Sequence, residues 1–444
     1  MVTSGHAQFR NEAKTSSAGL KRTPPGPDDP LRIMLPSYRS HPFTGGQGVY
    51  MRHVSKALVD MGHLVDVVSG PPYPVLDPRV KLIKLPSLDL YAREMTRFGF
   101  PLPPLSEMNS LTDYREYMDH FTGNFGEPRS FGDRLYHYMK TRLHEYDVIH
   151  DNQTLSWGLV KLKNMGIPVA GTIHHPITMD RQIAIDAADS LKLNLLTRRW
   201  YHFLGMQMKV SKLLDPIIVV SESTKRDVSR DFGLAPETME LVYHGIDIEQ
   251  WRAKPEIKRE DNKLIAIASA DVPLKGLIYL IEAYAMLLKE RPELELTVIG
   301  TLREGLTKKR LLKLGILDKV KFVSGISDEE ITDLYAKSTV AITPSVYEGF
   351  GYPAGEAMSS GMAVVSTTGG SLPEVVGDAG LLVPPKDPVA LAGAIAKYLD
   401  NPGLREEMGR KARTRIETKF NWPRAAREVT AIYHRAIANA NNGS

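Results

Sequence analysis

Short apolar, β-branched runs alternate with longer segments of helical periodicity from Leu31 onward. The candidate strands of the first half are LRIMLP (31–36), LVDVVS (64–69), DVIH (147–150), PVAGTI (168–173), PIIVVS (216–221) and ELVYH (240–244). Those of the second half are KLIAIAS (263–269), LELTVIG (294–300), VKFVS (320–324), TVAITP (339–344), MAVVST (362–367) and GLLVP (380–384). Such alternation is typical of parallel sheets covered by helices on both faces. It predicts an α/β protein with two doubly wound, Rossmann-like domains.

The same pattern sets the expected domain boundaries. Residues 1–30 lack apolar periodicity and are rich in polar residues and proline, which indicates a disordered leader. We expect a first domain over residues 31–248, a polar linker over 249–262 and a second domain over 263–423. Parallel sheets bind ligands at the carboxyl ends of their strands. Two such domains are therefore expected to face each other across a cleft.

Composition narrows the class of protein. The chain has 444 residues, 42% hydrophobic and 24% charged, which is enough to bury a large core. Its net charge of +4 is too small to predict a nucleic-acid partner. The absence of cysteine excludes disulfides and thiol nucleophiles and fits a reducing, cytoplasmic compartment. No apolar run approaches the roughly 20 residues of a membrane-spanning helix.

Two segments depart from the alternating pattern. Residues 86–130 are rich in proline, tyrosine and glycine without clear periodicity, which predicts a functional insertion or a mobile lid. Residues 191–215 combine leucine, tryptophan and phenylalanine with five Lys or Arg residues. A basic amphipathic helix of this kind can lie on an anionic membrane. A helix packed on the core with a solvated face is commoner, and we expect that arrangement here.

The stretch EGFGYPAGE (348–356) brackets a glycine-rich loop with two acids. Glu348 follows a predicted strand, and Glu356 falls in the first turn of the next predicted helix. Glycine lets the amides around Phe350 and Gly351 approach a ligand closely. An ionised carboxylate accepts hydrogen bonds well from a vicinal diol such as a ribose. For Glu356 alone, an acid that only stabilises a helix N-terminus remains an alternative.

A second glycine-rich stretch, HPFTGGQGVY (41–50), joins the first predicted strand to the first predicted helix. Glycines before a helix N-terminus are typical of a phosphate-binding loop. Gly46 and Gly48 are two positions apart, but Met51 occupies the place of the third glycine of the dinucleotide fingerprint. The stretch therefore argues against a nicotinamide cofactor, and a simple glycine-rich turn remains the alternative.

Lys275 and His174 each follow a predicted strand. Lys275, in SADVPLKG (269–276), could neutralise a diphosphate leaving group as a point charge. His174, in GTIHHPITMD (171–180), could bond a sugar hydroxyl or transfer a proton near neutral pH. No further ligands at fixed spacing accompany this histidine, so we predict no metal site.

These stretches, in this order, resemble those of glycosyltransferase family 4, whose members have the GT-B fold and are retaining and metal-independent. The most specific element is the E-x7-E motif, matched by Glu348 and Glu356. Further matches are GGQG, GTIH, VSESTKRD, YHGID and VGDAGLLVPPKDP, and the likeness spans residues 31 to about 440. The resemblance implies a retaining hexosyltransferase that moves a sugar from a UDP- or GDP-sugar to a saccharide, lipid-linked or small-molecule hydroxyl, without a cofactor.

The resemblance also implies residue roles. Glu348 would hold donor-sugar hydroxyls, His174 would contact the transferred sugar, and Lys275 would stabilise the departing diphosphate. The first domain would take the acceptor and the second the nucleotide sugar, and a helix within 424–440 would pack back on the first. The implied donor-binding residues are Gly46, Gly48, Lys275, Gly300, Val323, Phe350, Gly351, Tyr352 and Glu356.

One position departs from the family pattern. Ala270 stands where the family usually carries an arginine five residues before the lysine. Losing one charged donor can cost a few kcal/mol of barrier, so either another cation compensates, with Arg39 and Arg303 as candidates from nearby loops, or the donor differs. The gap leaves open a glycoside phosphorylase that uses inorganic phosphate. Separate alternatives are a GT-B-like sugar-nucleotide epimerase and a non-catalytic nucleotide-sugar-binding module, which the presence of both acids and the lysine disfavours. The expected location is the cytoplasm, with peripheral contact at the inner face of the membrane as a further possibility.

Overall fold

The computed structural model describes residues 25–26, 29–41, 46–94, 101–186, 188, 190–268 and 272–442. The chain divides into two compact units. The first unit comprises residues 1–219, 225–242 and 426–444, and the second comprises residues 220–224 and 243–425. Most of the predicted leader, residues 1–30, lies outside the described residues.

The first unit contains a seven-stranded parallel sheet in the order β3-β2-β1-β4-β5-β6-β7. Its strands are β1 (Arg32–Ser37), β2 (Leu64–Ser69), β3 (Lys81–Lys84), β4 (Val148–Asn152), β5 (Val169–Ile173), β6 (Ile217–Val219) and β7 (Met239–Leu241). All residues of β4 and β5 are buried. Strands buried on both faces are near-continuous apolar runs, which is why the sequence pattern reveals them.

The helices that begin in the first half of the chain are α1 (Gly46–Asp60), α2 (Leu111–Phe121), α3 (Glu127–Met139), α4 (Trp157–Lys163), α5 (Thr178–Asp186), α6 (Leu191–Trp200), α7 (Leu204–Ser211) and α8 (Glu222–Phe232). Segment 86–130, expected as an insertion or lid, therefore contains α2 and the start of α3. A capping box between Ser110 and Asp113 begins α2.

The second unit contains a six-stranded parallel sheet in the order β10-β9-β8-β11-β12-β13. Its strands are β8 (Lys263–Ile267), β9 (Glu295–Ile299), β10 (Val320–Val323), β11 (Val340–Thr343), β12 (Val364–Thr367) and β13 (Leu381–Val383). The remaining helices are α9 (Leu277–Glu290), α10 (Leu306–Leu314), α11 (Asp328–Lys337), α12 (Tyr352–Ser359), α13 (Leu372–Val376), α14 (Pro388–Asp400), α15 (Pro402–Lys419) and α16 (Trp422–Asn442).

The two parallel sheets confirm the predicted α/β class with two doubly wound domains. Every predicted strand is present, and β3 is the one described strand that the pattern missed. Its residues are exposed or only partly buried, with a lysine at each end. An edge strand of this kind carries little apolar signal.

Residues 249–262, expected as a linker, belong to the second unit. Trp251 is buried there, with its ring 6.1 Å from that of Tyr335 in an edge-on arrangement. Its carbonyl accepts a hydrogen bond of 3.0 Å from Arg413. Although the segment is mostly polar, the side chain of Trp251 anchors it to the hydrophobic core of the second unit.

The last helix, α16, lies against the first sheet from Ala426 onward. Tyr433 is fully buried, and its hydroxyl lies 2.5 Å from Nδ1 of His150 on β4. Thr430 makes a 3.1 Å hydrogen bond with Nε2 of His63. These contacts show how the C-terminal helix completes the first unit.

The prediction that residues 191–215 form a helix packed on the core is wrong for residues 191–200. The segment forms two helices, α6 and α7, joined by a short 3-10 turn. Helix α6 has no buried residue, whereas α7 buries Leu204 and Val210. The leucines of α6 are therefore not part of the core.

Candidate active site

The strand order of the second sheet identifies its topological switch point. Strands β8 and β11 are neighbours, yet the chain continues from β8 to β9 on one side and from β11 to β12 on the other. Ligands of doubly wound sheets bind at such a point, beyond the carboxyl ends of the strands. Lys275 follows β8 in a short 3-10 turn, and Glu348 lies in the loop after β11.

Lys275 and Glu348 form an ion pair at this edge. The Nζ atom of Lys275 lies 2.7 Å from Oε1 of Glu348, which also accepts a 2.7 Å hydrogen bond from the Ser345 hydroxyl. The Glu348 side chain is 11% exposed and that of Lys275 is 27% exposed. The pair is thus largely shielded from water, which strengthens the attraction.

A glycine explains how the two loops come so close. Gly276 has a φ of +65°, and a Cβ atom there would lie 2.1 Å from the Pro344 carbonyl oxygen. The Val346 amide donates a 2.8 Å hydrogen bond to the Leu274 carbonyl. Only glycine adopts this conformation freely while allowing so close a backbone approach, so Gly276 positions Lys275 beside the β11 loop.

The backbone of Glu348 is held from the other side by the loop after β12. Its carbonyl accepts hydrogen bonds from the Ser371 amide at 2.9 Å and the Ser371 hydroxyl at 3.1 Å. Gly370 has a φ of +65°, and a Cβ atom there would lie 2.1 Å from the same carbonyl oxygen. Glu348 is therefore fixed by both its side chain and its backbone.

Phe350 fastens the glycine-rich loop to the core. Its ring is buried and packs against those of His244, Tyr352 and Phe420 at centroid distances of 5.0, 5.2 and 5.9 Å. The Tyr352 hydroxyl lies 2.9 Å from Nδ1 of His244, and burial lowers the pKa of this histidine to about 3. Gly351, with a φ of +97°, caps helix α12. The loop is consequently rigid.

Glu356 lies in the first turns of α12 and is partly buried. Burial, helped by the nearby Asp328 and Glu348 carboxylates, raises the pKa of the Glu356 carboxyl to about 8, against the opposing charge of Lys275. Among the described residues, no donor makes a hydrogen bond to this carboxylate. A partly buried carboxyl with a strongly shifted pKa and no hydrogen bond from the described residues is a candidate ligand-binding group.

Gly300 and Val323 end the neighbouring strands β9 and β10. The Gly300 amide donates a 2.7 Å hydrogen bond to the Val323 carbonyl, and Gly300 has a φ of +150°. In the sheet order, β10, β9, β8 and β11 are consecutive. The structure therefore brings the donor residues predicted in the second unit to one edge of one sheet.

His174, in the first unit, follows β5 and is 8% exposed. Its Nε2 atom lies 2.5 Å from Oδ1 of Asn152, and its amide donates a 2.7 Å hydrogen bond to Oε1 of Gln153. The ring of Tyr50 packs edge-on at 4.8 Å. Because Asn152 accepts at Nε2, it fixes that nitrogen as the protonated one.

Asn152 and Gln153 both contact His174, and the sequence analysis did not predict them. Asn152 donates a 3.0 Å hydrogen bond to the Ser37 hydroxyl at the end of β1. Gln153 has a φ of +56°, an uncommon conformation for a residue other than glycine, and donates a 2.8 Å hydrogen bond to the His175 carbonyl. Asn152 is the last residue of β4 and Gln153 directly follows it, and polar residues at the carboxyl end of a buried strand are the signal that could have revealed them.

Gly46 and Gly48 lie at the start of α1. Gly46 is exposed, whereas Gly48 is buried, and a Cβ atom on Gly48 would lie 1.9 Å from the His41 carbonyl oxygen. The preceding residues 42–45 lie outside the described residues. The close approach explains why Gly48 cannot carry a side chain.

Two arginines are candidates for the cation that replaces the arginine missing at position 270. Ala270 itself lies outside the described residues. Arg39 has its Nη1 atom 3.5 Å from Oε2 of Glu127 in the first unit, and Arg303 is exposed after β9.

A cavity in the first unit is lined by Tyr38 and Gly70, which directly follow β1 and β2, and by Glu116, Glu127 and Arg134. Burial raises the pKa of the Glu127 carboxyl to about 7, against the opposing charge of Arg39. The cavity has a volume of about 10 Å³, which is roughly the space that one water molecule occupies. The sequence analysis did not single out this group.

Within the described ranges, no three His, Asp or Glu side chains converge on a point that could hold a metal ion. None of the helices in the described part of the chain is long and apolar enough to cross a membrane.

Known proteins match both units. Residues 44–250 match the family described as Glycosyltransferase Family 4, and residues 247–415 match Glycosyl transferases group 1. The chain is 43% identical over 413 residues to the MMP alpha-(1->4)-mannosyltransferase of Mycolicibacterium hassiacum, covering 92% of this chain and 99% of that protein. It is 27% identical over 442 residues to a D-inositol 3-phosphate glycosyltransferase of Kribbella flavida, covering 93% and 98%.

Solved structures show the same fold. Sucrose-phosphate synthase from Thermosynechococcus elongatus matches with a TM-score of 0.69 at 22% identity, covering 92% of this chain and all of that one. Anabaena HepE, in complex with UDP and glucose, matches with a TM-score of 0.65 at 18% identity, covering 90% and 98%. These likenesses confirm the GT-B fold, and the sequence relatives confirm the family. The chain is a glycosyltransferase and belongs to glycosyltransferase family 4.

Proposed function

We propose that the chain transfers mannose from a UDP- or GDP-linked donor to a saccharide hydroxyl, forming an α-(1→4) bond with retention and without a metal ion. The mannosyltransferase of M. hassiacum, with 43% identity over nearly its whole length, supports the sugar and the linkage. The UDP and glucose bound to HepE support a nucleotide-sugar donor.

The Lys275–Glu348 pair is the observation that carries the proposal. Breaking the anomeric C–O bond leaves negative charge on the departing diphosphate and positive charge on the sugar. Lys275 would neutralise the diphosphate, and Glu348 would accept hydrogen bonds from the sugar hydroxyls. Because the pair is preformed at 2.7 Å, little reorganisation is required when the donor binds.

Glu356 would bind the ribose of the donor. Its carboxylate accepts no hydrogen bond from the described residues, so both oxygens are available for a vicinal diol. The base would lie against the loops after Gly300 and Val323, and the amides of Phe350 and Gly351 would hydrogen-bond the sugar or phosphate.

His174 would contact the transferred sugar in the first unit. Its Nε2–H is already bonded to Asn152, so the ring is oriented before substrate binds. We further propose that the first unit receives the acceptor and that Gly46 and Gly48 approach the donor phosphate through their amides. Arg303, exposed after β9, is the cation that we propose in place of the missing arginine.

Retention follows from the stereochemistry of the proposed substrates. Nucleotide-diphosphate mannose carries its phosphate in the α configuration, and the product named for the relative is also α. An α donor that gives an α product requires attack from the face that the leaving group departs.

The experiment incubates the purified chain with UDP- and GDP-sugars and an α-(1→4)-linked mannoside, with and without a chelator. The proposal predicts that nucleoside diphosphate is released only when acceptor is present, that chelator has no effect, and that the product is α by NMR. Interconversion of donor sugars without acceptor would indicate the epimerase. Sugar 1-phosphate formed from the mannoside and inorganic phosphate would indicate the phosphorylase.

A further inference from the structure

Helix α2 is oriented with its acids inward and its apolar side chains outward. The exposed apolar residues recur at a spacing of three and four positions: Leu111, Tyr114, Met118 and Phe121. The buried residues are Asp113, Glu116 and Asp119. A surface helix of a globular protein normally buries its apolar stripe and exposes its charges. Helix α2 does the reverse.

The inverted orientation is fixed by ion pairs. Arg134 on α3 lies 2.5 Å from a carboxylate oxygen of Asp113 and 2.5 Å from one of Glu116. Arg129 lies 2.5 Å from Asp119. Rotating α2 about its axis to bury the apolar stripe would break these ion pairs. Arg134 would then be a partly buried charge without a partner, and such a charge is strongly destabilising. The outward apolar stripe is therefore a built-in feature of the unit.

Helix α6 is the second exposed apolar element. None of its residues is buried, and its exposed leucines are Leu191, Leu193, Leu195 and Leu196. The exposed fraction reaches 76% at Leu191. A helix with leucines exposed around its circumference gains little stability from the core below it, so another surface is expected to cover it.

Helix α6 contacts the segment that directly follows α2. Arg199 on α6 donates hydrogen bonds to the Thr122 hydroxyl at 2.8 Å and the Thr122 carbonyl at 3.3 Å, just beyond the end of α2. The ring of Trp200 stacks on that of Phe125 at 5.3 Å. We call the exposed residues of α2 and α6 the α2/α6 surface. Soluble monomers rarely expose contiguous apolar patches larger than a few hundred Å².

The charge of this surface is of one sign. Helix α6 contains no Asp or Glu, and its exposed basic residues are Lys192, Arg198 and Arg199. On α2 the acids are buried, whereas Arg115 is exposed. Exposed leucines beside cations, on helices that expose no acid of their own, are typical of helices that lie in a lipid interface.

We propose that the α2/α6 surface docks the enzyme on an anionic lipid bilayer. Its leucines would enter the headgroup boundary, and the Lys and Arg side chains would contact anionic headgroups. A second copy of the chain is a poorer occupant, because a two-fold contact places each patch of cations against its twin. This proposal does not depend on the sugar or linkage proposed above.

The test is flotation of the full chain with vesicles of phosphatidylglycerol and phosphatidylcholine, compared with vesicles of phosphatidylcholine alone. We expect flotation with the anionic vesicles only, and less of it at high salt. Two double variants address the surface, Leu191→Ser/Leu195→Ser and Lys192→Glu/Arg198→Glu. The charge reversal should weaken binding by more than about tenfold, since each basic side chain near an anionic leaflet contributes roughly a fivefold factor.

Helix α10 supplies the matched control. Its Leu306 and Leu312 are 72% and 58% exposed on a lysine-rich helix of the second unit, so Leu306→Ser/Leu312→Ser should float like the parent. Thermal melts of all variants establish that each is folded. Equal loss of flotation in control and surface variants would overturn the assignment. Absence of vesicle binding, with a dimer that Leu191→Ser/Leu195→Ser dissociates, would show that a second copy covers the surface instead.

Discussion

The Lys275 ammonium and the Glu348 carboxylate, 73 residues apart in sequence, lie 2.7 Å apart at the switch point of the second sheet. In the proposed mechanism, the cation that neutralises the leaving group and the acid that binds the sugar would therefore act together. Two separate contributions to catalysis would be additive on mutation, whereas groups that act together are not.

Glu348→Ala should lower kcat by about a hundredfold to a thousandfold, the range for loss of one preorganised electrostatic contact. Lys275→Ala should have a comparable effect, and the double variant should lose little more than either single one. Glu348→Gln, which keeps a hydrogen bond to Lys275 without the charge, should fall between. Steady-state kinetics with saturating acceptor measures this, and additive losses in the double variant would contradict a coupled pair.

Gly276→Ala tests whether the turn before α9 positions Lys275. The added Cβ would lie 2.1 Å from the Pro344 carbonyl oxygen, so the two loops must separate. We expect kcat to fall and the unfolding midpoint to drop. Gly315→Ala is the control, since Gly315 has a similar φ of +67° but nothing within 4 Å of the new Cβ. The control should cost only about 1 kcal/mol of stability and leave kcat unchanged. Equal kcat in the two variants would refute the positioning role.

Asn152→Ala should lower kcat because it frees the His174 ring, and Asn164→Ala, at an exposed position, should not. Asn152→Asp gives a sharper result. A carboxylate beside Nε2 stabilises the imidazolium, so the pKa of His174 should rise. An NMR titration of the ring measures the change. An unchanged titration curve in Asn152→Asp would mean that the 2.5 Å contact does not form in solution.

Glu356 should make nucleotide binding pH-dependent. With its pKa raised to about 8, the carboxyl is mostly protonated at neutral pH in the free protein. The ribose diol prefers the ionised form, so affinity for the nucleoside diphosphate should rise from pH 7 to pH 9, with release of a proton on binding. Calorimetry in buffers of different ionisation enthalpy measures both effects. Glu356→Gln should remove the pH dependence, and its persistence in that variant would assign it to another group.

The same pKa has a consequence for stability. A carboxyl raised from 4.5 to about 8 binds more protons in the folded state than in the unfolded state across that window. Its presence therefore costs more stability as the pH rises from about 4.5 to about 8. Glu356→Gln should raise the melting temperature relative to the parent at pH 8 and leave it nearly unchanged at pH 4. A difference that does not vary with pH would contradict this.

Sequence patterns predicted the sheets because buried parallel strands are apolar along their whole length. The loop residues of the second unit could also be predicted from the sequence, since glycines and acids that follow a strand mark the carboxyl edge of the sheet. Asn152 was not predicted, because its role depends on a backbone turn at Gln153 and on a histidine from the next strand. The sequence also did not predict that α2 buries its acids and exposes its apolar residues. Whether Asp113 is exposed or buried is decided by Arg134, and the arginine lies on another helix.

A crystal structure with a bound nucleotide-diphosphate mannose tests the central claim most directly. The account predicts the ribose hydroxyls within hydrogen-bond distance of Glu356, and the diphosphate and sugar beside Lys275 and Glu348. A donor bound away from residues 348–356 would contradict it.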